Sequence, residues 1–316
     1  MKFDNLFSDN LTKEDIISAL CLNDHEAISL FELSDNIRKE YCGDDVQIRG
    51  LVEISNICSR NCNYCGIRKD NRNVKRYRMS VDDIFSTATE MNRQGYRTIV
   101  MQSGESKTYS AEEIAILISR IKENCNMSVT LSLGEHSYND YKLWKEAGAD
   151  RYLLRHETAN KNHYSFLHPD GKLETRLECL NYLKELGYQV GMGCMVGSPG
   201  QTLENLAEDV LLIKKFNPDM IGIGPYIMHK DTPFNGKANG SVFLTLKMLA
   251  TVRIVSKKAL MPATTALASI GNEGFAQGLR VGCDVIMINR TPQKYKCLYE
   301  IYPDEHCIAE NNDTIY

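Results

Sequence analysis

The amino-acid sequence predicts an α/β protein: a (β/α)8 barrel of the TIM type with an N-terminal helical extension. Three observations predict it. Short β-branched apolar runs alternate with segments of helical period along most of the chain. These runs number eight, spread over about 250 residues, the count at which a parallel sheet closes on itself. Neither GxGxxG after the first strand nor GxxxxGK(S/T) occurs, so the nucleotide signatures of the competing open, doubly wound sheet are missing. Strands joined through helices must pair in parallel, through right-handed crossovers.

Residues 1–48 read as the helical extension, with helices expected at 12–19 and 24–41, and residues 49–316 as the barrel. The expected strands are 51–55 (LVEIS), 98–102 (TIVMQ), 128–133 (SVTLSL), 151–155 (RYLLR), 189–196 (QVGMGCMV), 220–225 (MIGIGP), 262–266 (PATTA) and 284–288 (DVIMI). Helix 80–94 is opened by Ser80 and Asp83, and helix 110–123 by Ser110 and Glu113. In each, a side-chain oxygen satisfies unpaired amides of the first turn. Further helical patterns cover 138–147, 173–186, 203–215, 243–257, 273–281 and 293–299. There is no repeat, low-complexity segment or linker, so one barrel suffices.

Composition excludes several function classes. With 37 basic against 41 acidic residues, a formal charge of −4 and no long basic run, the chain lacks the electrostatic footprint for nucleic acid or anionic lipid. No apolar stretch approaches the roughly 18 to 20 residues of a membrane span, and the polar start MKFDNLFSDNLTKED lacks the apolar core of a signal peptide. A cytoplasmic protein is expected. Its eleven cysteines are then in a reducing compartment that disfavours a disulfide framework, so some should bind metal.

Directly after the first strand stands Cys58-x3-Cys62-x2-Cys65. A structural zinc site would show two separated ligand pairs, and no nearby CxxC or HxxxH completes one. Three cysteines at this spacing can hold three irons of a 4Fe-4S cluster and leave the fourth open. Three buried thiols acting as small hydrophobes fit poorly beside Ser59, Arg60, Asn61 and Asn63. Cys21, Cys42, Cys125, Cys179, Cys283 and Cys297 are expected to be buried hydrophobes. The strand C-termini of such a barrel converge on the active site, which brings together Gln102, Ser103, Glu105, Ser132, Glu135, Arg155, His156, Glu157, the turn 197–200, Tyr226, His229, Thr264, Thr265, Asn289 and Arg290. A lone histidine is more often structural than catalytic, so His156 and His229 receive no catalytic role.

The cysteine motif, with aromatic Tyr64 before its last member, resembles that of radical S-adenosylmethionine (SAM) enzymes. That resemblance implies a 4Fe-4S cluster whose open iron is chelated by the amino and carboxylate groups of SAM, and one-electron cleavage to a 5'-deoxyadenosyl radical. The stretches CGIRKDNRNVKRYRMS (65–80), TIVMQSGE (98–105), VTLSLGE (129–135), AGADRYLLRHETAN (147–160), MVGSPGQT (195–202), IGIGPYIMHKDTP (221–233) and PATTAL (262–267) further resemble the HydE family of FeFe-hydrogenase maturases, from about residue 45 to 307. By that resemblance Tyr64, Gln102, Glu157, Arg176 and Tyr299 contact or approach SAM, and Arg155, Ser103, Thr264 and Thr265 face the substrate. A zwitterionic cofactor needs a carboxylate for its ammonium, which Glu157 can supply. Without the family, Arg176 reads as a solvated helix residue, Thr264 and Thr265 as fillers of a barrel layer, and 197–200 as an ordinary turn.

The resemblance implies assembly of the hydrogenase's diiron subcluster. The substrate would be a small organometallic iron–cysteine complex made by HydG, with a functional link also to HydF, and the radical would attack its cysteine sulfur. Two alternatives remain open: a radical SAM enzyme of the biotin synthase or methylornithine synthase type, and a non-enzymatic iron–sulfur carrier or zinc-stabilised binding protein. Biotin synthases hold a second cluster on barrel strands, where this chain offers Cys194 alone. Cys307 stands where some HydE proteins begin a peripheral second cluster, but no CxxC follows it, so that cluster is not expected.

Overall fold

Local signals set the elements before tertiary packing acts on them. The Ser110 hydroxyl accepts from Glu113 N–H while the Glu113 carboxylate accepts from Ser110 N–H, and helix Ala111–Asn124 follows. The same reciprocal cap opens helices Lys13–Leu20, Asp24–Cys42, Tyr138–Glu146 and Leu203–Phe216. Ser80 caps helix Val81–Arg93 one way, accepting from Asp83 N–H. In the computed structural model, residues 3–270 and 273–303 are described.

The strands are β1 Gln47–Ser55, β2 Thr98–Ser103, β3 Ser128–Ser132, β4 Arg151–Leu153, β5 Gln189–Met192, β6 Met195–Val196, β7 Met220–Ile221, β8 Gly224–Pro225, β9 Pro262–Ala263 and β10 Val285–Asn289. Eight of them form one parallel sheet in the order β7-β5-β4-β3-β2-β1-β10-β9. Leu260, just before β9, forms a parallel bridge to Met220 of β7. Ile221 N–H donates to Leu260 O and Leu260 N–H to Asp219 O, both at 2.9 Å. The two edges therefore meet, and the sheet curls into a nearly closed barrel.

Two runs expected to be continuous strands are each split in two. Runs 189–196 and 220–225 break at Gly193 and Gly222, because the two backbones touch there: a Cβ on Gly193 would stand 2.0 Å from Gly222 O. Above the break, β6 and β8 resume as a separate parallel pair. The run 262–266 is strand only at its first two residues. Thr264 Oγ1 accepts from Leu267 N–H at 3.3 Å and Thr264 O from Ala268 N–H, which starts helix Thr265–Ile270 instead. Helix Lys161–Leu167, capped by Asn160, was not expected. β1 begins at Gln47, inside the assigned extension, because its ladder with β10 starts at Gln47 opposite Val285.

The extension helices Lys13–Leu20 and Asp24–Cys42 pack on helices Leu203–Phe216 and Val242–Val255, where Lys247 Nζ donates to Leu22 O at 2.8 Å. Cys125, Cys179 and Cys283 are buried, but Cys21 and Cys297 are exposed, because both terminate helices on the outer surface. No helix among the described residues is long and apolar enough to cross a membrane.

Candidate functional site

The loop leaving β1 carries Cys58, Cys62 and Cys65, and two polar side chains, buried Asn56 and half-buried Arg76, shape it. Asn56 Nδ2 donates to Lys75 O (2.9 Å) and Leu298 O (2.6 Å), while Asn56 Oδ1 accepts from Tyr77 N–H (2.8 Å). The Arg76 guanidinium donates to four carbonyls, of Asn56, Ile67, Arg68 and Asn71, at 2.6–3.2 Å. On one tetrahedral zinc with Zn–S near 2.3 Å, thiolates would stand roughly 3.8 Å apart. Among the described residues, His156, Cys194 and Asp209 gather their ligand atoms within 4.8 Å, whereas Cys58, Cys62 and Cys65 do not form such a group. Three thiolates on one loop fit three irons of a 4Fe-4S cluster, with the fourth left open. Burial, with the neighbouring Cys65 and Cys58 sulfurs, pushes the Cys62 thiol well above its ordinary range.

A ring of four charges locks this loop to the next strand ends. Arg60 pairs through Nε with Glu105 and through Nη2 with Glu135 (2.9 Å). Arg176 reaches Glu135 at 2.8 Å and Glu105 at 3.7 Å. Burial raises the Glu135 carboxyl against the pull of Arg176. Arg176, 8% exposed, is therefore not the solvated helix residue its sequence position suggests. Its guanidinium already serves two carboxylates, and its Nε donates to Tyr164 OH at 3.3 Å.

Glu157 adopts φ 64, a left-handed conformation that costs a non-glycine residue about 1–2 kcal/mol. Its N–H donates to Gly193 O (3.0 Å) and its O accepts from Met195 N–H (3.2 Å), extending the sheet past Leu153. Behind it, fully buried Asp209 accepts from Ala159 N–H at 2.5 Å and from His156 Nε2 at 3.2 Å, with Cys194 in contact. This clamp holds the backbone on both sides of Glu157, and burial raises the Asp209 carboxyl. Arg155 Nη2 lies 3.4 Å from Glu157 Oε2 and donates to Cys194 O at 2.5 Å. The geometry at 3.4 Å is an ion pair without a hydrogen bond, so Glu157 Oε2 and Arg155 Nε are buried polar atoms with no hydrogen-bond partner. A rim offering an acceptor and a donor of this kind fits an ammonium group at Glu157 and a separate anionic group at Arg155.

Arg290, expected at the mouth, turns away from it, because its Nη2 donates to Gln94 Oε1 at 2.6 Å and its guanidinium lies over Tyr96, both just before β2. Gln102 Nε2 donates to the hydroxyl of Tyr299, which is 1% exposed. Ser103 Oγ donates to Gly104 O at 2.9 Å. Thr264 caps a helix and Thr265 begins it, so neither is a simple layer filler. Gly197 has φ 79, and a Cβ there would meet Gly240 Cα at 2.5 Å, the close backbone approach that the 197–200 turn requires. His229 is buried and its Nδ1 accepts from Asp231 N–H at 3.1 Å, a structural histidine. Cys307 lies outside the described residues.

Sequence reasoning did not single out Asn56, Arg76, His168, Asp209 or Glu53. Cys62 Sγ stands 3.2 Å from His168 Nδ1. Burial, then the Arg176 and Arg60 charges, hold His168 well below its ordinary pKa. Glu53 on β1 is fully buried: Oε2 accepts from Asn289 Nδ2 (3.1 Å) and Thr291 Oγ1 (3.3 Å), and Oε1 has no partner. Burial pushes its carboxyl up to about 8. The one available signal was a charged residue inside an otherwise apolar strand.

Comparison with known proteins places this geometry. The profile of the Radical SAM superfamily matches residues 52–213. The [FeFe] hydrogenase maturase subunit HydE of Thermotoga maritima is 48% identical over 304 residues, covering 95% of this chain and 86% of that protein. The crystal structure of methylornithine synthase superposes with a TM-score of 0.84 at 23% identity, covering 93% of this chain and 87% of the other. The FeFe-hydrogenase maturase HydG of Carboxydothermus hydrogenoformans superposes with 0.76 at 20%, covering 88% and 67%. These two likenesses concern the fold.

Proposed function

Because the chain belongs to the radical SAM superfamily, and within it to the family of the hydrogenase maturase HydE, we propose that it acts in assembly of the FeFe-hydrogenase diiron subcluster, on a small iron-bound cysteine complex. The observation that carries this reading is the meeting, at one barrel mouth, of the three-cysteine loop with the Glu157 and Arg155 pair, whose buried Oε2 and Nε atoms have no hydrogen-bond partner. Identity to a HydE over nearly the whole chain selects among the enzymes that share the fold. A carrier would have no use for that charged rim.

When bound, the cluster and SAM together supply a 5'-deoxyadenosyl radical by one-electron cleavage of the sulfonium. Cys58, Cys62 and Cys65 hold the cluster in this reading. Glu157 receives the SAM ammonium, held ready by the Asp209 clamp. Gln102, Tyr299 and the Tyr64 ring approach the cofactor, and buried Tyr299 helps exclude water from above. Arg176 orients Glu135 and Glu105 and sets the loop toward the cofactor. Arg155 offers positive charge to an anionic iron fragment, with Ser103, Thr264 and Thr265 as polar neighbours. The upstream and downstream partners are the other maturases, HydG and HydF.

The test is anaerobic reconstitution with iron and sulfide, then incubation with dithionite and SAM and quantification of 5'-deoxyadenosine. Cleavage is expected in the wild type and absent in Cys62→Ala. Arg155→Ala is expected to keep the cluster spectrum and lose hydrogenase maturation. Methylornithine appearing from lysine would replace the proposed substrate, iron bound without SAM cleavage would restore the carrier reading, and absence of iron would restore the zinc-stabilised one.

A further inference from the structure

His168 ends helix Lys161–Leu167 and is 4% exposed. Its ring is stacked on Tyr164 at 4.5 Å and 17°, and Tyr64 meets it edge-on at 5.4 Å. Backbone bonds from His168 N–H to Tyr164 O (2.7 Å) and from Gly171 N–H to His168 O (3.1 Å) fix the residue from both sides. Nδ1 lies 3.2 Å from Cys62 Sγ, and Nε2 lies 3.4 Å from the Tyr64 hydroxyl. Both ring nitrogens thus have a polar partner in reach. The tautomer that satisfies both contacts once Cys62 is a thiolate ligand, and so an acceptor only, carries its hydrogen on Nδ1 toward the sulfur and accepts the Tyr64 O–H at Nε2.

We propose that His168 is a positioning residue for the cluster: it donates a hydrogen bond to the Cys62 sulfur and so raises the potential at which the cluster accepts its electron. The inference rests on the radical SAM reading above. A donor at a thiolate ligand offsets negative charge on the sulfur. One-electron reduction increases that charge, so the bond is stronger in the reduced state. The Tyr164 stack keeps the ring from turning away, and the Tyr64 hydroxyl fixes its tautomer. Cys58 receives a comparable donor from the backbone, Arg60 N–H at 3.4 Å. For Cys62 that part falls to a side chain, which substitution can remove.

The experiment is an anaerobic redox titration of the reconstituted full chain, with the reduced cluster followed by electron paramagnetic resonance. His168→Phe keeps an aromatic ring against Tyr164 but has no donor. It is expected to lower the equilibrium constant for one-electron uptake about tenfold, which is about 59 mV for a one-electron couple, at unchanged iron content. His168→Gln, which restores an N–H, is expected to recover most of the loss. Equal midpoints in wild type and His168→Phe at equal iron content would overturn the proposal. If His168→Phe retains no iron, the wild type labelled with 15N-histidine decides. Pulsed resonance is expected to show one histidine nitrogen coupled to the reduced cluster, and its absence overturns the assignment. A wild type that binds no iron at all would instead sink the function reading on which this inference stands.

Discussion

Glu53→Gln isolates the cost of a carboxyl group buried in the barrel wall. Its ordinary pKa of 4.5 rises to about 8 in the fold, chiefly by burial. Below pH 4.5 both folded and unfolded chains carry the proton, and stability is indifferent to it. Between 4.5 and about 8 the unfolded chain ionises while the folded one keeps its proton, so stability falls as pH rises, and above about 8 the loss is complete. At about 1.4 kcal/mol per pH unit, the full window corresponds to a ceiling of about 5 kcal/mol. Glutamine resembles the protonated acid in shape and can still accept from Asn289 and Thr291, but it does not titrate. Anaerobic urea unfolding of both proteins at pH 6, 7, 8 and 9 measures the difference. The variant should gain on the wild type by about 1.4 kcal/mol per unit up to pH 8 and by little beyond it. A gap that stays constant from pH 6 to 9 would refute the reasoning, because Glu53 would then be ionised in the folded chain.

Three further outcomes follow from the geometry. Arg76→Ala frees four loop carbonyls and should cost about 2–4 kcal/mol, read by thermal melting, with iron per chain after reconstitution falling below half; Arg76→Lys should not rescue it, since an ammonium cannot span that set. Asp209→Asn weakens the clamp behind Glu157 and should raise the dissociation constant for SAM about tenfold, worth about 1.4 kcal/mol, in equilibrium dialysis with the cluster spectrum intact. Gly193→Ala places a Cβ 2.0 Å from Gly222 O and should yield insoluble or unfolded chain, whereas Gly187→Ala, at φ 75 with nothing within 4 Å, should cost only about 1 kcal/mol by circular dichroism melts.

Much of the fold was legible in the sequence because its signals are local. The Ser110 and Glu113 pair, three residues apart, carries its own hydrogen bonds and needs no partner from elsewhere, so the helix start is written in one turn. The cysteine loop was legible for a similar reason, since its spacing lies within eight residues. What could not be read is non-local. Arg176 reads as solvated until Glu105 and Glu135, delivered by two other strand ends, close around it. The split of β5 from β6 depends on Gly222, about thirty residues away in the chain, arriving against Gly193. His168 gains its place only when the loop after β1 folds onto the segment after helix Lys161–Leu167, where Asn63 N–H donates to Leu167 O at 2.8 Å.

The ring of Arg60, Arg176, Glu105 and Glu135, two charges of each sign, has a consequence for how iron is acquired. Pulling the loop out of this ring would leave Glu105 and Glu135 sharing Arg176 alone, so the ring resists displacement of the loop whether or not iron is bound. The three thiols thus form a preformed socket. In zinc-finger domains much of the metal's binding free energy goes into folding the chain; here the four-charge ring contributes part of the loop's order without the metal. The empty protein should accordingly melt close to the loaded one, survive loss of its iron without losing its fold, and refill at a rate set by the supply of iron and sulfide.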